Sequence, residues 1–132
     1  MEDESVSSGT AVAEVVRLSL PGSLEYVRVA RLTASAVAAR LGFDVEEIED
    51  LRVAVDELAS LVVEAGNGAE LSLTFSNLAD TFVVEGSGAT TRDLGLDDLT
   101  RQILSAVVDE FELTAEGGVA RFRATKKAAA AG

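Results

Sequence analysis

Residues 44–65 make up one amphipathic stretch that constrains the fold more than any other part of the chain. Asp44 opens it and Glu47 follows, at the spacing of a capping box in which each side chain accepts from the other residue's backbone N–H. Two glycines and an asparagine at 66–68 end it. Between these signals, one apolar stripe recurs at helical spacing: Ile48, Leu51, Val55, Leu58, Ala59 and Val62. The stretch predicts a long helix that packs on a core.

A second side of this helix carries Val53, Glu57 and Leu61 at intervals of four. A helix covered on one side only is polar elsewhere, whereas here two apolar residues flank one carboxylate. Two interpretations remain open from the spacing. Either the helix is nearly buried with Glu57 at its edge, or these residues line a pocket or a partner surface.

The composition of the 132 residues excludes several classes of site. Hydrophobic residues make up 48%, enough for one domain with a core. Cysteine and histidine are absent, which excludes disulfides, thiolate chemistry, zinc sites of the Cys/His type and Ser-His or Cys-His nucleophiles. A formal net charge of −12 argues against direct nucleic-acid binding and suits a basic protein partner.

The ends of the chain set the expected domain limits. We expect a disordered tail over 1–13, a folded domain over 14–125 and a second disordered, alanine-rich tail over 126–132. No apolar run approaches the roughly 20 residues of a membrane span, and no signal peptide opens the chain. We therefore expect a cytoplasmic protein without membrane association.

The periodicities along the chain predict an α+β two-layer sandwich with helices beside a mainly antiparallel sheet. We predict helices over 24–41, 44–65 and 99–110, and strands over 14–20, 70–75, 81–85, 111–115 and 119–125. Residues 86–98 are predicted to form a long polar connection, of a kind that is functional or mobile. We expect five residues in the core: Val16, Leu18, Val55, Leu73 and Phe82.

This order, with an acidic residue in the middle of the second helix, resembles the GHKL (Bergerat, histidine kinase-like) ATPase fold. More specifically, the chain resembles small bacterial anti-sigma factors, the serine/threonine kinases of partner-switching systems. RLSLPGSLEYVRVARLTASAVAARLGF and DVEEIEDLRVAVDEL carry the resemblance, which continues through FVVEGSG and ILSAVVDEFEL. It implies ATP and Mg²⁺ as cofactors, a sigma factor and an anti-anti-sigma factor as partners, and a homodimer.

The resemblance implies that Glu57 is the general base of the family's first motif. The family places an asparagine four residues later, and its carboxamide ligates the Mg²⁺ that bridges the phosphates. Here that position is Leu61, which offers no oxygen to a cation that requires oxygen ligands. This departure predicts a weakened metal site, and no residue is assigned as a metal ligand.

The family's second motif is an aspartate and then two glycines one residue apart, at the end of a strand. By resemblance, Gly86 and Gly88 let the backbone approach the nucleotide. The aspartate that accepts from the adenine amino group aligns with Val84. Glu85 would take the place of the aspartate only if the alignment with the motif shifted by one residue. Such a shift puts the side chain on the other face of the sheet.

The run Asp93–Leu96 superficially resembles the family's third motif, a glycine-rich turn whose N–H groups hold phosphates at a helix start. The next predicted helix begins later, after acidic residues that repel phosphate. We therefore expect Gly95 to be a lid residue.

Three functions remain open. The first is an anti-sigma factor that sequesters an RNA polymerase sigma factor and is released by an anti-anti-sigma antagonist, with weakened or lost ATP binding. The second is an active Mg²⁺-ATP-dependent serine/threonine kinase that phosphorylates the antagonist. The third is a non-catalytic domain whose second helix packs in a homodimer.

Overall fold

Three helices cover one face of a five-stranded antiparallel sheet in a computed structural model that describes residues 12–129. The strands are β1 (Val12–Leu20), β2 (Leu71–Leu78), β3 (Thr81–Ala89), β4 (Glu110–Glu116) and β5 (Val119–Lys127). The helices are α1 (Val27–Arg40), which follows a 3-10 turn at Leu24–Tyr26, α2 (Val45–Ala65) and α3 (Asp98–Val107). The predicted α+β two-layer sandwich is confirmed. Within the described part, none of the helices has the length and apolar content that a membrane crossing needs.

The sheet has the strand order β1-β2-β3-β5-β4. Its register places successive rows of side chains on alternate faces. One row faces the helices: Leu18, Leu73, Gly86, Phe122 and Leu113. The adjacent row faces away from them: Arg17, Thr74, Glu85, Arg123 and Glu112. The first row is part of the core, and the second is part of a polar open face.

Helix α2 begins and ends as its sequence predicts. The Asp44 carboxylate accepts from the Glu47 N–H at 2.8 Å, and the Glu47 carboxylate accepts from the Asp44 N–H at 2.9 Å. After Ala65, Asn67 and Gly68 take positive φ angles of 49° and 90°, which a helix cannot continue. Every member of the predicted stripe is buried except Ile48, which is half-buried against the core.

The predicted core is correct at Val55, Leu73 and Phe82, which are buried, and Leu18 packs against them half-buried. The prediction is wrong for Val16, which remains 37% exposed. β1 is at the edge of the sheet and pairs only with β2, so no neighbouring strand covers its outer side.

The strands run further than predicted, and the helix between them is shorter. β3 continues to Ala89, so Gly86 and Gly88 are strand residues rather than the start of a connection. α3 ends at Val107 because the next residues turn into the sheet, where the Asp109 N–H donates to the Thr125 carbonyl at 2.9 Å.

The first and last strands each extend two residues beyond the predicted domain limits of 14 and 125. β1 begins at Val12, and β5 continues to Lys127. The Lys127 N–H donates to the Asp109 carboxylate at 2.6 Å, and the Ala129 N–H donates to the Glu47 carboxylate at 2.8 Å. These tertiary bonds order residues whose composition indicated a tail. Residues 1–11 and 130–132 lie outside the described part.

Candidate functional site

The side of α2 that carries Glu57 and Leu61 faces α3. Lys126 of β5 shows where the two helices meet. Its ammonium group donates to the Val107 carbonyl at the end of α3 at 2.9 Å and lies 3.4 Å from the Asp50 carboxylate of α2. At 100° per residue, positions 57 and 61 each lie within about 20° of position 50 around the helix. Glu57 and Leu61 therefore share the border between α2 and α3.

Both side chains at this border are half-buried, and Val53, one turn earlier, is 39% exposed. Within residues 12–129, Glu57 makes no side-chain hydrogen bond or ion pair. The structure thus places an unpaired carboxylate at the edge of the core face of α2, next to an apolar side chain that supplies no ligand to a metal.

Val84 lies on the helix-facing side of β3 and is fully buried. Its neighbours across the sheet are Phe75 on β2 and Ala124 on β5, both also fully buried. An adenine amino group needs an acceptor, and an unpaired donor in such apolar surroundings costs about 1–3 kcal/mol. The position that the family's pattern gives to an aspartate is part of the apolar core here.

Glu85 lies on the opposite face of the sheet from Val84. Its exposed carboxylate is 3.8 Å from the Arg123 guanidinium on β5. The register of β2, β3 and β5 fixes this direction, because Glu85 pairs with Thr74 on one side and Arg123 on the other. The structure therefore does not bring Glu85 together with Glu57 and Leu61.

The two glycines of the second motif make room for protein atoms. A Cβ at Gly86 would collide with the Phe122 ring and lie 3.0 Å from a Leu73 methyl group. A Cβ at Gly88 would lie 3.0 Å from a Val62 methyl group of α2. Close approach between the sheet, Phe122 and α2 accounts for both glycines without a bound nucleotide.

Gly95 lies in the connection between β3 and α3, before the helix begins at Asp98. Its neighbours Leu94 and Leu96 are half-buried and pack against the core. At the start of α3, the Asp97 carboxylate accepts from the Thr100 N–H at 2.7 Å, and this hydrogen bond lowers the pKa of Asp97. The helix start is thus capped by an anionic side chain and preceded by leucines, which does not suit a phosphate group.

These residues do not fit Mg²⁺-ATP in the way the family's pattern requires. Leu61 and Val84 are apolar, and the Phe122 ring fills the space above Gly86. Glu57, Leu61 and Val84 line none of four well-formed concavities in the described part.

A further polar surface, which no sequence motif marks, lies on the open face of the sheet. It is a shallow concavity of about 530 Å³. Its lining includes three arginines among hydroxyl and carboxylate groups: Arg17, Arg121, Arg123, Thr74, Thr114, Glu85 and Glu112. Polar residues alternate along the strands, interrupted by Val15 and Val83, and were the available signal, but only the strand order shows that they form one surface.

Comparison with known proteins agrees with this fold. The model of the histidine kinase-like ATPase domain matches residues 20–123. Serine-protein kinase RsbW of Bacillus pumilus is 31% identical over 115 residues, which cover 80% of this chain and 69% of that protein. The Bacillus subtilis serine-protein kinase RsbW is 34% identical over 115 residues, which cover 81% of this chain and 69% of that protein.

A solved structure extends the comparison to three dimensions. The RsbU and RsbW domains of a Mycobacterium tuberculosis protein superpose on 88% of this chain with a TM-score of 0.68 at 17% identity. The match covers 33% of that longer chain, so this likeness concerns the fold alone.

Proposed function

The chain belongs to the histidine kinase-like ATPase family, and on that premise we propose that it is an anti-sigma factor with weakened or lost ATP binding. The main support for this proposal is that apolar residues occupy the positions of two polar groups that contact the nucleotide in the family's pattern. Leu61 holds the position of the metal ligand, and the buried Val84 holds that of the adenine acceptor. A site without these two polar groups retains the fold of its relatives but lacks what ATP needs.

The proposed activity is sequestration of an RNA polymerase sigma factor, with release by an anti-anti-sigma antagonist. The formal charge of −12 supports it, since the DNA- and polymerase-binding segments of sigma factors are basic. Opposite charges accelerate association and favour such a partner over acidic ones. Under this proposal the protein acts in the cytoplasm, where transcription takes place.

An ATP titration by calorimetry, with and without Mg²⁺, tests the proposal. We expect an affinity far below that of the Bacillus subtilis relative measured beside it, and little change when Mg²⁺ is added, because Leu61 supplies no ligand oxygen. Micromolar, Mg²⁺-dependent binding would contradict the proposal and favour an active kinase.

An active serine/threonine kinase that phosphorylates the antagonist is the second candidate. Glu57 favours it, because the carboxylate is present, half-buried and unpaired among the described residues. The relatives named above are serine-protein kinases, which favours it further. Loss of a metal ligand lowers the stabilisation of the developing charge, so this activity would be weak.

A homodimer is our proposal for the assembly. Val53 supports a dimer, because it is an exposed apolar residue on the second side of α2. The third candidate function, a non-catalytic dimeric domain, requires the same assembly. Sedimentation of the wild type and of Val53→Lys tests this contact, and an unchanged dimer in the variant would exclude Val53 from the interface.

A further inference from the structure

The connection between β3 and α3, residues 90–97, is called the strap here, and its first end is tied to α2. The Ala65 carbonyl at the end of α2 accepts from the Thr91 N–H at 3.0 Å and from the Thr91 hydroxyl at 3.2 Å. The Thr90 N–H donates to the Gly118 carbonyl in the turn between β4 and β5 at 2.9 Å. The strap therefore starts from a fixed point between two elements.

The second end of the strap is tied to α3. Asp97 takes an extended backbone conformation and caps the helix through the Thr100 N–H at 2.7 Å. Because both ends are bonded, only the middle of the strap is free to move away from the protein.

The middle of the strap is held by side chains. Leu94 and Leu96 are half-buried against the core, while Arg92, Asp93 and Gly95 are exposed. The alternation shows an extended segment with one apolar side turned inward.

We infer that the strap is closed by the protein's own leucines and that its closure does not depend on nucleotide. The inference rests on the proposed function, in which the apolar site no longer takes up ATP. Leu94 and Leu96 then supply the inward contacts that hold the segment, and the hydrogen bonds of Thr91 and Asp97 fix its ends.

Trypsin cleavage after Arg92 measures opening of the strap directly, because cleavage requires the segment to leave the protein surface. We expect slow cleavage of the wild type, at the same rate with and without excess Mg²⁺-ATP. Cleavage after Arg52, within α2, reports global unfolding in the same digest. The ratio of the two rates separates local opening from loss of the fold.

The matched variants are Leu94→Ser with Leu96→Ser, and Gly95→Ala as the control. Loss of both apolar contacts should raise cleavage after Arg92 by about tenfold or more while leaving Arg52 protected, since locally weakened segments open first. Gly95→Ala should behave as the wild type, because a Cβ there meets no atom within 4 Å. If the double variant unfolds, Leu96→Ala alone provides the smaller change.

Two results would overturn the inference. One is wild-type cleavage after Arg92 as fast as in an unfolded peptide of the same sequence. The other is a slowing of about tenfold on addition of Mg²⁺-ATP, which would show that ligand closes the strap. If calorimetry detects ATP binding while the rate of cleavage after Arg92 stays the same, the proposed function is refuted but the inference about the strap still holds.

Discussion

Glu57 is the residue whose role differs most clearly between the two leading functions. A general base needs a carboxylate within reach of the hydroxyl that it deprotonates, whereas sequestration gives that carboxylate no chemical task. The structure leaves it half-buried at the border of α2 and α3. Its side chain is therefore available for either role.

We predict that Glu57→Gln still binds the sigma factor within about 1 kcal/mol of the wild type, because the change keeps size and hydrogen-bonding capacity. Calorimetry of the complex checks this, with the exposed Glu64→Gln on the same helix as control. If Glu57 is a catalytic base, sigma binding stays intact but phosphorylation of the antagonist falls by roughly 10²-fold. A wild type that phosphorylates readily and loses this activity in the variant would end the non-catalytic proposal.

The variant Leu61→Asn tests whether the missing Mg²⁺ ligand can be restored. We expect little gain in Mg²⁺-ATP affinity, because the variant regains a carboxamide oxygen while Val84 still offers adenine no acceptor. Calorimetry with the variant and the wild type side by side measures this. A Mg²⁺-dependent gain of about tenfold or more, worth about 1.4 kcal/mol, would show that the metal position alone limits binding.

A substitution at Gly86 tests whether the glycines of the second motif are needed for packing of the core. We predict that Gly86→Ala lowers the free energy of unfolding by about 1–3 kcal/mol, because the added methyl group collides with the Phe122 ring in a filled core. Chemical denaturation measures the loss. Gly95→Ala is the matched control and should stay within about 0.5 kcal/mol of the wild type. Unchanged stability in Gly86→Ala would mean that the ring moves aside easily.

At the scale of elements, sequence reasoning worked where the signals were local. The capping box and the apolar stripe lie within α2 itself, so residues 44–65 were sufficient to predict it. Gly86 and Gly88 fall within the predicted connection over 86–98, whereas the structure places them in β3, where Gly86 lies against Phe122 and Gly88 against Val62, each more than twenty positions away in the chain. Contacts of that range are not visible in local periodicity.

The candidate site shows the same division. The replacement of two polar residues by Leu61 and Val84 can be read from the motif positions. The direction of Glu85 also followed from strand alternation, and the structure places it on the open face. The closing of the strap by Leu94 and Leu96 could not be predicted, because two leucines in a polar connection do not reveal which surface they meet.

Helix α3 gives a pH-dependent prediction. The hydrogen bond from the Thr100 N–H lowers the pKa of Asp97 in the folded protein. The carboxylate therefore favours the folded state above its unfolded-state pKa, and this contribution is lost as the pH falls through the lowered pKa. We expect the Thr100 amide resonance to shift as the pH is lowered from neutral to about 2. Asp97→Asn keeps an acceptor and should abolish that shift, and a shift that persists in the variant would assign it to another carboxyl group.

At the scale of the whole molecule, Lys126 joins three elements. It extends from β5, donates to the end of α3 and lies beside Asp50 of α2, with 14% of its side chain exposed. We predict that Lys126→Ala lowers the free energy of unfolding by about 1–3 kcal/mol, because the Val107 carbonyl loses a charged donor.

Urea denaturation measures this loss, and the neighbouring Lys127→Ala is its control. The Lys127 side chain is 68% exposed and its ammonium group lies 3.9 Å from the Asp80 carboxylate, so its removal should cost no more than about 0.5 kcal/mol. Equal losses in the two variants would show that the junction between β5, α3 and α2 adds no stability of its own.

The position of β5 determines when the protein can fold during its synthesis. Although it is the last strand of the described part, β5 lies inside the sheet, between β3 and β4. While the ribosome is still translating, β3 has one unpaired edge, and the core lacks the ring of Phe122. A nascent or truncated chain that ends before residue 119 exposes a hydrophobic strand edge that can pair with other chains. We therefore expect the sheet to be completed only after β5 has been synthesised, and a chain truncated before residue 119 to aggregate more readily than the full chain.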